Sequence, residues 1–96
     1  MTKFGIEKQP FDVLKDLAEK NKVLRKQAGL SQSELAKRSG VSLGSIKRFE
    51  LTGQISLESL LKLAHILNRI SDFELILNSD DNLKNIDKLF SDRTKF

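Results

Sequence analysis

Cysteine is absent from this 96-residue chain, which excludes disulfides and thiolate metal sites, and the single His65 cannot build a metal centre alone. No cofactor is expected. No apolar stretch approaches the length of a membrane span, and the opening residues, MTKFGIEKQP, lack the apolar segment of a signal peptide. A cytoplasmic protein with no membrane partner is expected. Glycine occurs five times, always singly, never as the rich loop that cradles a phosphate. The carboxylates are cap candidates or scattered charges, and no nucleophile stands with a base, so no enzymatic activity is expected.

What is present is a single domain's worth of chain with an uneven charge. The net charge is +4, and residues 1–50 hold 11 Lys/Arg against 6 Asp/Glu while residues 51–96 hold 6 against 7. The positive charge therefore travels with the first half, which suits a nucleic-acid partner. That half contains the most legible stretch of the chain, LSQSELAKRSGVSLGSIKRFE, residues 30–50. Ser31 stands three residues before Glu34, so hydroxyl and carboxylate can satisfy each other's backbone donors as a capping box, and a helix starts at Gln32. Ser39-Gly40 stops it near Arg38, because glycine readily takes the left-handed conformation that ends helices. Ser42 is a second N-cap candidate, and Ile46 and Phe49 fall three apart on one face of a second helix over 43–50. Two short helices around a glycine-containing turn form a helix-turn-helix, whose second helix lies in the DNA major groove.

The ordered set is Gln32 opening the first helix, Leu35-Ala36, Gly40-Val41 in the turn and Ile46 in the second helix. On these residues the stretch 25–68 resembles the Xre or Cro/repressor-type helix-turn-helix family, without a gap through the motif and over roughly half the chain. The resemblance implies an all-α, compact five-helix domain that binds double-stranded DNA. Matched position by position, Leu43, Gly44, Lys47 and Arg48 fall on the base-reading side of the recognition helix. Gln32, Ser42, Ser45 and Gln54 fall on phosphate-contacting positions. Arg25 and Glu50 match a pair joining helix one to the end of the recognition helix. Ala36, Val41, Ile46 and Phe49 match core positions. The chain departs from the family where Leu43 and Gly44 replace amide side chains. Leu43 can contact a thymine methyl, Gly44 lets the backbone approach closely, and Arg48 is left as the candidate guanine reader.

The flanks are read from pattern alone. Residues 1–9 form an N-terminal arm anchored only by Phe4 and Ile6, either extended or disordered. Residues 10–77 form the DNA-binding domain. Pro10 suits a first helical turn, and Val13, Leu14, Leu17, Ala18, Leu24 and Ala28 then recur at helical spacing, interrupted at Asn21, over 12–28. Gly29 ends that helix. Ser56 caps helix four, 57–67, with an apolar stripe of Leu57, Leu60, Leu61, Ala64 and Leu67 that Leu63 broadens, and with His65 at the surface. Ser71 and Glu74 form a further capping box for helix five, whose apolar excess is expected to close the core, contact a second subunit, or both. Residues 78–96 are a polar linker with a short C-terminal helix suggested by Leu83, Ile86, Leu89 and Phe90.

Two functions of different class follow. The first is a repressor binding a palindromic operator as a homodimer through Ile70, Phe73, Ile76 and Leu77, since one short recognition helix buries too little surface for specific affinity. The second is an antitoxin. SLGSIKRFELTGQISLESLLKLAHIL, followed by DFELIL, looks like small Xre proteins that bind Hip-type kinase toxins while repressing their own operon.

Overall fold

The computed structural model describes residues 8–79, all of whose regular elements are helices. They are α1 (Pro10–Gln27), α2 (Gln32–Ser39), α3 (Leu43–Thr52), α4 (Leu57–Ile66) and α5 (Ile70–Glu74). The expected arm anchors Phe4 and Ile6 and the expected C-terminal helix lie outside the described residues.

Each helix end has a local cause. Pro10 occupies the first position of α1, where its missing N–H costs nothing, and the Gln9 N–H donates to Asp12 Oδ2 at 3.0 Å. The helix thus begins two residues earlier than the apolar pattern indicates. It ends in a Schellman motif around Gly29, φ +75°, where the Leu30 N–H donates to the Arg25 carbonyl and the Gly29 N–H to that of Lys26. The expected box at α2 is made: the Glu34 N–H donates to Ser31 Oγ at 3.0 Å, and the Ser31 N–H returns to Glu34 Oε1 at 2.8 Å. Those hydrogen bonds hold the exposed Glu34 carboxyl below the usual carboxylate range. Gly40 ends α2, Ser42 and Gly53 cap the two ends of α3, and Ser56 caps the start of α4.

The second half corrects the sequence reading twice. No Ser71 capping box forms; Ser71 lies inside α5, whose N-cap is Arg69, with no side-chain cap. The cause lies upstream in a Schellman motif without glycine. Asn68 takes a left-handed φ of +62°, the Arg69 N–H donates to the Ala64 carbonyl at 2.7 Å, and α5 has to begin immediately afterwards. The Arg69 guanidinium then reaches Asp72 at 2.9 Å across the first turn. The second correction concerns α4. Leu57, expected in its inward stripe, is 65% exposed in the first turn, whereas Leu63 is fully buried. The side facing the core is therefore Leu60, Leu63, Ala64, Ile66 and Leu67, without the expected Leu61. His65 is exposed, as its place off the stripe implies.

Leu35, Ile46, Phe49 and Leu63 are the largest fully buried side chains, and Ala18, Leu30 and Val41 complete the cluster. One side chain from each of α2 and α4 and two from α3 thus interlock at the centre, while α1 lies along α3. Truncating such a Leu or Ile to Ala costs about 2–5 kcal/mol, so this knot fixes α3 on the frame. Two polar residues are buried beside it, Asn21 and Arg25. The Asn21 Nδ2 has no hydrogen-bond partner. Gly53 adds a close approach: its φ is +84°, and a Cβ there would meet the Leu14 backbone at 2.9 Å. No other residue type fits between α3 and α1 at that point.

Candidate nucleic-acid interface

α3 is two-sided. Ile46 and Phe49 are buried to the last atom, and so Gly44, Lys47 and Arg48 are left on the exposed side, with Leu43 half-buried at the start. On α2, Lys37 and Arg38 are exposed near its C-terminus, where cations also suit the helix dipole. Between the helices the chain turns through Gly40, φ +81°, and the Val41 N–H donates to Ser39 Oγ at 3.1 Å while Val41 itself is buried. At the start of α3 the Ser42 hydroxyl accepts from the Ser45 N–H at 3.1 Å and donates to Ser45 Oγ at 2.8 Å. The two expected phosphate-contacting hydroxyls are thus already joined to each other, which sets their direction at the helix N-terminus.

A buried polar node holds the other end of α3. Arg25 Nε donates to Glu50 Oε2 at 2.7 Å and Nη2 to Oε1 at 3.0 Å, a two-point pair whose side chains are 9% and 6% exposed. The third guanidinium nitrogen, Nη1, donates to the Leu30 carbonyl at 2.9 Å. Gln32 Nε2 completes the node with a 3.0 Å bond to Glu50 Oε1. α1 and α2 therefore meet on the one carboxylate that α3 carries, and Arg25 ties in the turn before α2 through the Leu30 carbonyl. Burial by itself pushes the Glu50 carboxyl up, but the bonds from Arg25 and Gln32, with the charges of Arg25 and Lys22, outweigh it and hold the pKa below its ordinary value of 4.5. The Gln32 side chain, expected at a phosphate, is here engaged inward, although its helix N-terminal position is unchanged.

Gln54, also expected at a phosphate, lies beside the recognition helix. Its side-chain oxygen accepts a hydrogen bond from Arg48 Nη2. With Ser45, Ser56 and Ser59 these two line a polar concavity of about 290 Å³ between α3 and α4. Sequence reasoning passed over Thr52, whose hydroxyl donates to the Arg48 carbonyl at 2.7 Å and accepts from the Gln54 N–H at 3.1 Å. The available signal was a threonine directly before a helix-ending glycine.

The four residues expected to pair two subunits lie on α5 and the turn after it. Phe73 is half-buried, Ile70 and Ile76 are exposed, and Leu77 is 97% exposed with a φ of +66°. Leu75, not singled out from sequence, is exposed as well. Among the described residues no helix is long and apolar enough to cross a membrane, and no group of three or more His, Cys, Asp or Glu could hold a metal ion.

The helix-turn-helix family model HTH_3 matches residues 22–75, a span running from the middle of α1 to the end of α5. No curated protein and no solved structure gives a significant match. The match encloses the whole arrangement just described, the capped pair α2–α3, the buried node and the two-sided recognition helix. The chain belongs to the Xre/Cro-type helix-turn-helix family, whose domains are DNA-binding regulators of transcription.

Proposed function

We propose that the protein is a sequence-specific transcriptional repressor that binds a palindromic operator as a homodimer. The observation that carries this reading is the two-sidedness of α3, with Ile46 and Phe49 sealed in the core and Gly44, Lys47 and Arg48 left outward beside an N-terminal pair of hydroxyls. In this reading Arg48 pairs with guanine, Lys47 adds a second polar contact, Leu43 meets a thymine methyl and Gly44 admits the sugar-phosphate chain. Ser42, Ser45 and the helix N-terminus at Gln32 hold phosphates, which set register without reading sequence. The pairing surface is Ile70, Phe73, Ile76 and Leu77, whose union about a two-fold axis sets recognition helices one DNA turn, about 34 Å, apart.

A duplex pool selected on the protein, followed by anisotropy titrations from 50 to 200 mM salt, tests this. Binding is expected to weaken with a slope of about −0.9 in log K per phosphate neutralised. A protein that selects no sequence from the pool fails the proposal. Sedimentation equilibrium on wild type and Ile76→Asp tests the dimer, which a wild type monomeric at tens of micromolar would refute.

A second reading, an antitoxin that also binds a protein toxin, is supported by the exposed Leu75, which lies outside both the α2–α3 unit and the four residues assigned to subunit pairing. Recovery of a kinase-like protein in a pull-down that Leu75→Asp abolishes would favour it.

A further inference from the structure

We infer that Gln54 is a specificity-determining positioning residue, one that aims the Arg48 guanidinium at its base rather than contacting a phosphate itself. The inference rests on the base-reading role proposed for Arg48 and adds to it the reason that side chain points one way.

An exposed arginine on a helix samples many rotamers, and a base contact made from that ensemble has to order all four torsions at the moment of binding. Here the ordering is done beforehand. The Gln54 side-chain oxygen takes one N–H of Arg48 Nη2. A guanidinium has five N–H groups and a guanine edge uses two, so the remaining four leave a full fork for O6 and N7. Gln54 can serve as a fixed point because its own backbone is fixed from both sides. Gly53, in the left-handed conformation, donates to the Phe49 carbonyl at 2.7 Å and lies against Leu14 with no room for a Cβ. Ile55, on the other side, packs on the core. The Thr52 hydroxyl then joins the two partners directly, donating to the Arg48 carbonyl and accepting from the Gln54 N–H. The result is a continuous path of contacts from α1 through Gly53 to Gln54 and on to the Arg48 tip. Gln32, the other amide near the recognition helix, cannot do this here, because it is bound to Glu50.

A phosphate ligand and a positioning residue predict opposite mutant behaviour, which a double-mutant cycle reads directly. Binding constants are measured for wild type, Arg48→Ala, Gln54→Ala, the double mutant and Gln54→Glu. The duplexes are the preferred one and one altered only at the base pair that Arg48→Ala identifies. Positioning predicts that Gln54→Ala lowers discrimination at that same pair by about fivefold, the worth of one net hydrogen bond, and has no further effect once Arg48 is alanine. It also predicts that Gln54→Glu, which keeps the acceptor, retains the discrimination while its negative charge weakens all duplexes alike. Equal weakening of both duplexes by Gln54→Ala, with a shallower salt slope, makes Gln54 a phosphate ligand and overturns the inference. An Arg48→Ala protein with unaltered preference at every base pair overturns the reading beneath it instead.

Discussion

Two of the arginines held by side-chain acceptors, Arg25 and Arg48, serve opposite ends. Arg25 spends three nitrogens on Glu50 and the Leu30 carbonyl, nearly out of reach of water. Arg48 spends one on Gln54 and stays exposed. A buried guanidinium must have its donors satisfied inside the protein, since the desolvation cost is otherwise uncompensated. An exposed one can keep donors in reserve for a ligand, because water satisfies them meanwhile. The difference teaches that an arginine's role in a small helical domain is decided by how many of its donors the fold consumes.

The comparison is broken most severely by Arg25→Ala, which strands the buried Glu50 and is expected to cost about 3–5 kcal/mol of stability in urea unfolding. Arg25→Met with Glu50→Leu should cost less than either single change, and strictly additive losses would show that the pair acts as two independent charges. Arg48→Ala sharpens the contrast from the other side. It should leave stability within about 0.5 kcal/mol of wild type and cost about 1–3 kcal/mol of affinity for the preferred duplex. Calorimetric melting together with anisotropy checks both halves.

Acid offers a subtler probe. The folded pKa of Glu50 lies below 4.5, so the stability it contributes is complete above that value and is lost as pH falls through the lower folded one. Unfolding free energy should therefore decline on acidification below about pH 4.5, and Glu50→Gln should flatten that decline even though its stability is lower throughout. An unchanged slope in the variant would assign the acid sensitivity elsewhere. The smallest effect is expected from an exposed ion pair, Lys8 just before α1 with Asp16 on it. Water already solvates both charges, so Lys8→Ala should leave the melting temperature unmoved.

The α2–α3 unit was legible in sequence because its signals are local and mutually consistent. Ser31 with Glu34, Gly40 and Ser42 each act within four residues of their targets, and Ile46 with Phe49 marks the buried side without ambiguity. The second half was less so, for the same reason turned round. Ser71 and Glu74 have the spacing of a capping box, but the left-handed Asn68 forces the chain into α5 before Ser71 can act. Leu57 has the period of its helix yet sits in the first turn, beyond the reach of the core. Arg25 and Glu50, 25 residues apart, were placed by the family resemblance rather than by any periodicity. The arrangement of Thr52, Gln54 and Arg48 offers the sequence only a threonine before a helix-ending glycine, since its geometry depends on a turn whose direction is set by a glycine packed on α1.

α1 is buried unevenly along its length. Ala18, Asn21 and Arg25 are covered, whereas Phe11, Val13 and Leu14 near its start are all exposed. Opening free energy follows buried area and tertiary ties, so the helix should not exchange its amide hydrogens as one block. Protection is expected to rise from Leu14 toward Arg25, because exposing the first turns releases little apolar surface, while exposing the last requires the node at Glu50 to come apart. The Leu14 backbone is also where Gly53 rests, so each brief fraying of that first half removes the wall that fixes the turn after the recognition helix. Local breathing at one end of α1 is in this way felt directly at the turn after the recognition helix.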